Sequence, residues 1–110
     1  MLLTTGNGEE NLMERRAWLL RVKEGKEEEY RRAHANVWPE LIQAAQEAGF
    51  QNHSTFMLGR TIIAYLEADD IKAAGARMEK SDVKGRWDKA MSGLLEETDS
   101  PSFEEVFHFD

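Results

Sequence analysis

The strongest constraint on this chain is a two-residue break between two strand-like runs. Residues 50–58 and 61–68 are rich in β-forming side chains, and only Gly59-Arg60 separates them. Such a short connection containing glycine joins neighbouring antiparallel strands, because parallel strands need a long crossover. The run Ile62-Ile63-Ala64-Tyr65-Leu66 is almost continuously apolar, as expected for a buried strand. We therefore expect a β-hairpin whose second strand lies at the centre of a sheet.

Helical patterns flank this hairpin on both sides. Before it, Tyr30, Ala33, His34 and Val37 share one helical face in a segment starting near Glu27. Pro39 then breaks the pattern and suits the first turn of a second helix, which Gly49 ends. After the hairpin, Asp69-Asp70 and Ser81-Asp82 are predicted to cap two further helices, the first over residues 71–80. Short apolar-rich runs at residues 17–22 and 103–109 indicate a first and a last strand.

The predicted order of elements defines an α+β fold. The predicted elements are a strand, a broken helix, two strands, a helix in two pieces and a final strand. This is the ferredoxin-like order, with an antiparallel sheet and helices on one face. A chain of 110 residues supports one small domain, which we place at residues 15–110 behind a polar, flexible tail at 1–14. The uncovered sheet face needs a partner. Two sheets packed face to face would give a homodimer with a dimeric α+β barrel.

Charge and composition exclude several classes of function. The net charge of −7 argues against nucleic-acid binding, which usually needs a basic surface, and favours a neutral ligand over a phosphorylated one. The chain has no cysteine, so it has no disulfide or thiolate nucleophile, and its histidines lack metal-binding spacing. Neither a secretory signal nor an apolar run of membrane-spanning length is evident, which predicts a cytoplasmic protein that does not enter a membrane.

Three side chains are candidates for chemistry, each with an ordinary structural alternative. His34 follows Tyr30 by one helical turn and can exchange protons near neutral pH, but a buried histidine with a satisfied hydrogen bond would show the same spacing. Gln51, His53 and Thr55 lie at every second position and so share one strand face. That face either lines a ligand site or is exposed to solvent. Trp87 lies on a helical apolar stripe, where it is either core or a ring that stacks on a sugar.

Several motifs together resemble the L-rhamnose mutarotase family, over about residues 16–109. The most specific is Tyr30-Arg-Arg-Ala-His34-Ala-Asn-Val-Trp38-Pro39-Glu40-Leu41. Further agreement lies in Gly49 with Asn52, in Ser81-Asp82-Val83 with Arg86-Trp87, and in Glu105-Val106-Phe107-His108. The resemblance implies a dimeric α+β barrel that interconverts the α and β anomers of a 6-deoxy sugar without a cofactor or metal.

The resemblance also implies roles for individual residues. His34 would be the proton donor, Tyr30 would contact the sugar, and Trp87 would line the site. His53 stands where the family usually has a tyrosine, and Asp88 replaces a second tryptophan of some members. These two departures bear on which sugar is used more than on the reaction type.

A mutarotase needs one group that protonates the ring oxygen and another that removes the anomeric proton. We expect His34 to protonate the ring oxygen, with Tyr30 and His53 holding sugar hydroxyls and His53 as a possible complementary base. The rival hypotheses are a cofactor-free oxygenase or cyclase of the same barrel type, and a non-catalytic protein that only binds a small molecule.

Overall fold

The computed structural model describes residues 13–110 of the chain. Its strands are β1 (Glu14–Arg21), β2 (Gln51–Leu58) and β3 (Thr61–Ala68). Its helices are α1 (Glu27–Ala35), α2 (Pro39–Ala48), α3 (Ile71–Glu79) and α4 (Asp82–Ser92). The strands form one antiparallel sheet in the order β1-β3-β2, so β3 is central and the predicted hairpin is confirmed. The α+β class is confirmed as well, and the ferredoxin-like order is observed through α4. None of the helices in this part of the chain has the length and apolar character needed to cross a membrane.

Helix boundaries follow from local backbone chemistry. Trp38, which precedes a proline, is extended at φ −59° and ψ 127°, and α2 starts at Pro39 as predicted. Gly49 ends α2 in the left-handed region, at φ 114°, where a side chain would be strained. At the start of α3 the carboxylate of Asp70 accepts a hydrogen bond from the backbone N–H of Ala73 at 3.0 Å, which confirms that cap.

The core lies between the helices and one face of the sheet. Along β3, Ile62, Ala64, Leu66 and Ala68 are buried, whereas the side chains that alternate with them are more exposed. The main buried cluster joins Val22, Tyr30, Ile62, Met91 and Leu94. The other sheet face keeps apolar surface exposed: Phe56 is 62% and Ile63 39% accessible. The sheet is therefore covered on one side only.

The chain ends differ from the prediction. β1 begins at Glu14, which pairs with Ala68, and so starts three residues before the predicted run at 17–22. Residues 1–12 of the predicted tail lie outside the described residues. The predicted strand at 103–109 is wrong, because only Ser102 forms a bridge, to Trp18 in β1. The segment pairs with β1 only at its start, where the Phe103 N–H donates to the Ala17 carbonyl oxygen at 2.8 Å, and within residues 13–110 no backbone hydrogen bond continues the pairing beyond it.

A β-bulge near the start of β2 changes which side chains share a face. Gln51 pairs with Glu67 and Ser54 with Tyr65, so two residues, Asn52 and His53, stand opposite a single residue of β3. Asn52 adopts the left-handed conformation at φ 52°, which asparagine tolerates better than most residues. The predicted shared face of Gln51, His53 and Thr55 is therefore wrong for Gln51, which lies with Glu67 on the outer face.

Candidate functional site

Aromatic side chains surround His34 on the helix side of the region between the helices and the sheet, a region that we call the cleft. The imidazole of His34 stacks on the ring of Tyr30, with centroids 4.1 Å apart and planes tilted by 20°. The indole of Trp87 meets the imidazole at 5.4 Å in an edge-to-face arrangement, and Trp38 meets Trp87 in the same way at 5.1 Å. Helix α1 thus supplies the imidazole, and α4 with the α1–α2 junction holds it from the side.

A single hydrogen bond fixes the orientation of the His34 ring. Its Nδ1 lies 3.0 Å from the backbone carbonyl oxygen of Tyr30, one helical turn earlier. A carbonyl oxygen can only accept, so Nδ1 carries the proton and donates it. Nε2 is then the nitrogen that gains and loses a proton, and it makes no hydrogen bond with any residue in 13–110. This arrangement suits a group that transfers protons to a ligand.

The sheet supplies the opposite wall through Trp18 and His53. Trp18 of β1 pairs with Ala64 of β3, and Thr55 of β2 pairs with Ala64 from the other side. The small side chain of Ala64 leaves room for the indole of Trp18 to approach His53, with ring centroids 6.3 Å apart. The guanidinium of Arg16 lies over the Trp18 ring at 5.2 Å from its centroid. The bulge of β2 is what turns His53 toward this cleft.

Burial and charge shift the titration of two of these groups. Burial raises the pKa of Tyr30 to about 12, so its hydroxyl stays protonated at physiological pH. The pKa of His53 is lowered, first by the loss of hydration among its neighbours and second by the charge of His34. The His53 side chain still has access to solvent in the cleft.

The structure brings the predicted site residues into one region. His34 contacts both Tyr30 and Trp87, and His53 lies beside Trp18 on the helix-facing side of the sheet. Trp38, at the junction of α1 and α2, contacts the Trp87 ring. Asp88 points along α4 and is paired with the ammonium of Lys84.

Trp18 belongs to the site although sequence reasoning did not select it. It lies in the run Ala17-Trp18-Leu19-Leu20, in which every residue is apolar. Alternation therefore could not separate a cleft-facing residue from the core. The available signal was the size of the indole opposite a small residue, Ala64, in the central strand.

Other parts of the described chain offer weaker sites. Among residues 13–110 there is no group of three or more histidine, aspartate or glutamate side chains placed to hold a metal ion. A shallow depression on the outer side of the sheet is lined in part by Arg15, Tyr65 and Phe103, and it contains no histidine. The cleft around His34 is therefore the best candidate for chemistry.

Together, these features define a ferredoxin-like α+β protein with a small aromatic cleft that holds two histidines. Comparison with known proteins gives the family. A sequence model described as L-rhamnose mutarotase matches residues 15–109, and the chain belongs to the L-rhamnose mutarotase family. The L-rhamnose mutarotase of Bacillus subtilis strain 168 is 32% identical over 105 residues, which cover 89% of this chain and 100% of that protein.

Solved structures agree on the fold. The crystal structure of an L-rhamnose mutarotase from Formosa agariphila has a TM-score of 0.71 at 23% identity, covering 88% of this chain and 99% of that one. A dimeric ferredoxin-like protein from an uncultured marine organism has a TM-score of 0.64 at 14% identity, covering 90% and 99%. At these identities the likeness concerns the fold, and the family assignment rests on the sequence match.

Proposed function

We propose that this protein is a sugar mutarotase that interconverts the α and β anomers of L-rhamnose or a related 6-deoxy sugar. The observation that carries the proposal is the imidazole of His34, whose Nδ1 is fixed to a backbone carbonyl and whose Nε2 is left free. Family membership and relatives named L-rhamnose mutarotase support the same reaction. Opening a pyranose ring requires proton transfer at two oxygens, and a histidine can transfer protons in both directions near neutral pH.

The remaining cleft residues have roles that fit a neutral sugar. Because its pKa is raised to about 12, Tyr30 keeps its hydroxyl proton at physiological pH and can form a hydrogen bond with a sugar hydroxyl. His53 can hold a second hydroxyl from the opposite wall. Trp87 offers apolar ring surface for the sugar ring or its methyl group. A cleft lined by aromatic rings and imidazoles, with no phosphate-binding loop, suits an uncharged ligand.

Saturation-transfer NMR between the two anomeric protons of L-rhamnose tests this proposal directly. We expect enzyme-dependent exchange, and we expect His34→Ala to lower the exchange rate by ~10²–10⁴-fold because it removes the proton donor. Arg31→Ala is the matched control, since Arg31 is exposed on the same helix, and it should leave the rate unchanged. L-Fucose and related sugars rank the substrates.

Two results would contradict the proposal. Near wild-type exchange in His34→Ala, with the fold intact by circular dichroism, would remove His34 from the mechanism. Absence of exchange with every sugar tested would leave a protein that only binds its ligand.

We also propose that the protein is a homodimer. The outer sheet face exposes Phe56, Leu58 and Ile63, and apolar surface of this kind usually marks a contact. The dimeric ferredoxin-like protein of similar fold supports this arrangement. Packing of two outer faces would produce the α+β barrel expected from the sequence. The cytoplasmic location stays a prediction, which cell fractionation would check.

A further inference from the structure

We infer that His53 is the general base that removes the proton from the anomeric hydroxyl, while His34 protonates the ring oxygen. This inference rests on the proposed mutarotase function and goes beyond a binding role for His53. It assigns one imidazole to each wall of the cleft, with the sugar ring between them.

Placement comes from the β-bulge in β2. Because Asn52 and His53 together oppose one residue of β3, His53 points to the helix side of the sheet, where Trp18 lies beside it. Asn52 instead turns to the outer face, where its amide donates to Glu67 at 2.7 Å. Without the extra residue, strict alternation would put Gln51 and His53 on the same face. The bulge thus separates His53 from Gln51 and Asn52 and places it on the helix side of the sheet.

The hydrogen-bonding capacity of His53 is not used within the described part of the chain. Among residues 13–110, neither ring nitrogen of His53 makes a hydrogen bond, in contrast to Nδ1 of His34. The tilted indole of Trp18 lies beside the imidazole, with ring centroids 6.3 Å apart. A neutral imidazole in this position has a lone pair that can accept a proton from a ligand.

The charges around His53 favour this neutral form. Titratable or charged side chains on the elements around the cleft are Tyr30 and His34 of α1, Arg16 of β1 and Arg86 of α4. Glu67 and Tyr65 lie on the other face of the sheet, where the Tyr65 hydroxyl donates a hydrogen bond to the Glu67 carboxylate. The positive charge that His34 needs as an acid is one of the causes that lower the pKa of His53. A positively charged His34, acting as the acid, therefore favours the neutral form of His53 that can act as the base.

The proton transfers balance over one catalytic cycle. In ring opening, Nε2 of His34 gives a proton to the ring oxygen, the bond from C1 to that oxygen breaks, and His53 takes the proton of the anomeric hydroxyl as the carbonyl forms. After rotation about C1–C2, the former ring oxygen attacks the other face of the carbonyl. It returns its proton to His34, and His53 returns its own proton to the anomeric oxygen. Both histidines end in their starting states, so the reaction needs no cofactor to balance it.

The test compares substitutions at His53 in the full-length protein, with L-rhamnose exchange followed by NMR. His53→Gln keeps hydrogen-bonding groups but cannot accept a proton, and His53→Ala leaves space for added imidazole. We expect both to lower kcat by ~10²–10⁴-fold with KM changed by much less, and imidazole to restore part of the rate in His53→Ala only. His108→Gln, which changes a histidine in the C-terminal segment, is the control and should leave kcat unchanged.

The dependence of kcat on pH adds a readout that a structural role would not move. In the wild type, the rate should fall as pH drops through the lowered pKa of His53, because the base becomes protonated. His53→Gln should lack this acidic limb. If His53→Gln raises KM but keeps kcat and the acidic limb, His53 only binds the sugar and the inference is wrong. If the wild type itself shows no exchange, the proposed function fails instead, so the two failures are distinguishable.

Discussion

Tyr30 combines two roles that substitution can separate. Its ring is 3% exposed and stacks on His34 at 4.1 Å, whereas its hydroxyl forms no hydrogen bond with any residue in 13–110. Tyr30→Phe keeps the ring and removes only the hydroxyl. One neutral hydrogen bond to the sugar contributes about 0.5–1.5 kcal/mol, so we expect KM to rise about 2- to 12-fold. The free energy of unfolding should change by less than about 1 kcal/mol.

Tyr30→Ala removes the ring as well. Deleting a buried aromatic side chain costs about 3–5 kcal/mol, a large part of the roughly 5–15 kcal/mol that stabilises a small domain. We expect a marked loss of stability and of kcat, because the imidazole of His34 loses the surface against which it stacks. Urea denaturation and the NMR exchange assay measure the two effects. Equal destabilisation by Phe and Ala, or a fall in kcat at constant KM in Tyr30→Phe, would refute this division of roles.

Three further substitutions test the fold and its electrostatics. Phe56→Glu should convert the proposed dimer into monomers in sedimentation velocity, and an unchanged dimer would exclude that face as the interface. Gly49→Ala should destabilise the protein by about 1–2 kcal/mol in denaturant melts, since φ is 114° there and the added carbon would lie 3.1 Å from Arg77. The pKa of Glu67 is lowered, mainly by the Tyr65 hydroxyl, so its stabilisation is present above about pH 4.3 and lost as pH falls through the folded value. The stability gap between wild type and Glu67→Gln should therefore narrow from pH 7 to pH 3, and a constant gap would contradict the pairing.

Local signals were sufficient to predict most of the fold. Pro39, Gly49 and Asp70 mark helix ends through backbone conformation or a cap, and each acts within a few residues. The Gly59-Arg60 turn fixed the hairpin and made β3 central. Such features depend on chemistry that is readable in a short window of sequence.

The errors arose where tertiary pairing decides the outcome. The bulge at Asn52 inserts one residue into an alternating pattern, and a period of two cannot show it in advance. The segment after Ser102 has the alternation of a strand, but its backbone pairing with β1 ends at Phe103. For the site, the resemblance predicted Tyr30, His34, His53 and Trp87, and the structure places all four around one cleft.

The hydrogen bond from His34 to the carbonyl of Tyr30 ties the proton donor to the integrity of one helical turn. The acceptor is a backbone atom, so no side-chain substitution at position 30 can remove it. Fraying of the last turn of α1 would release it, because the carbonyl would move away from the ring. Helix ends open at lower free energy than the core. Heat should therefore inactivate the protein over a temperature range in which most of its secondary structure is still present.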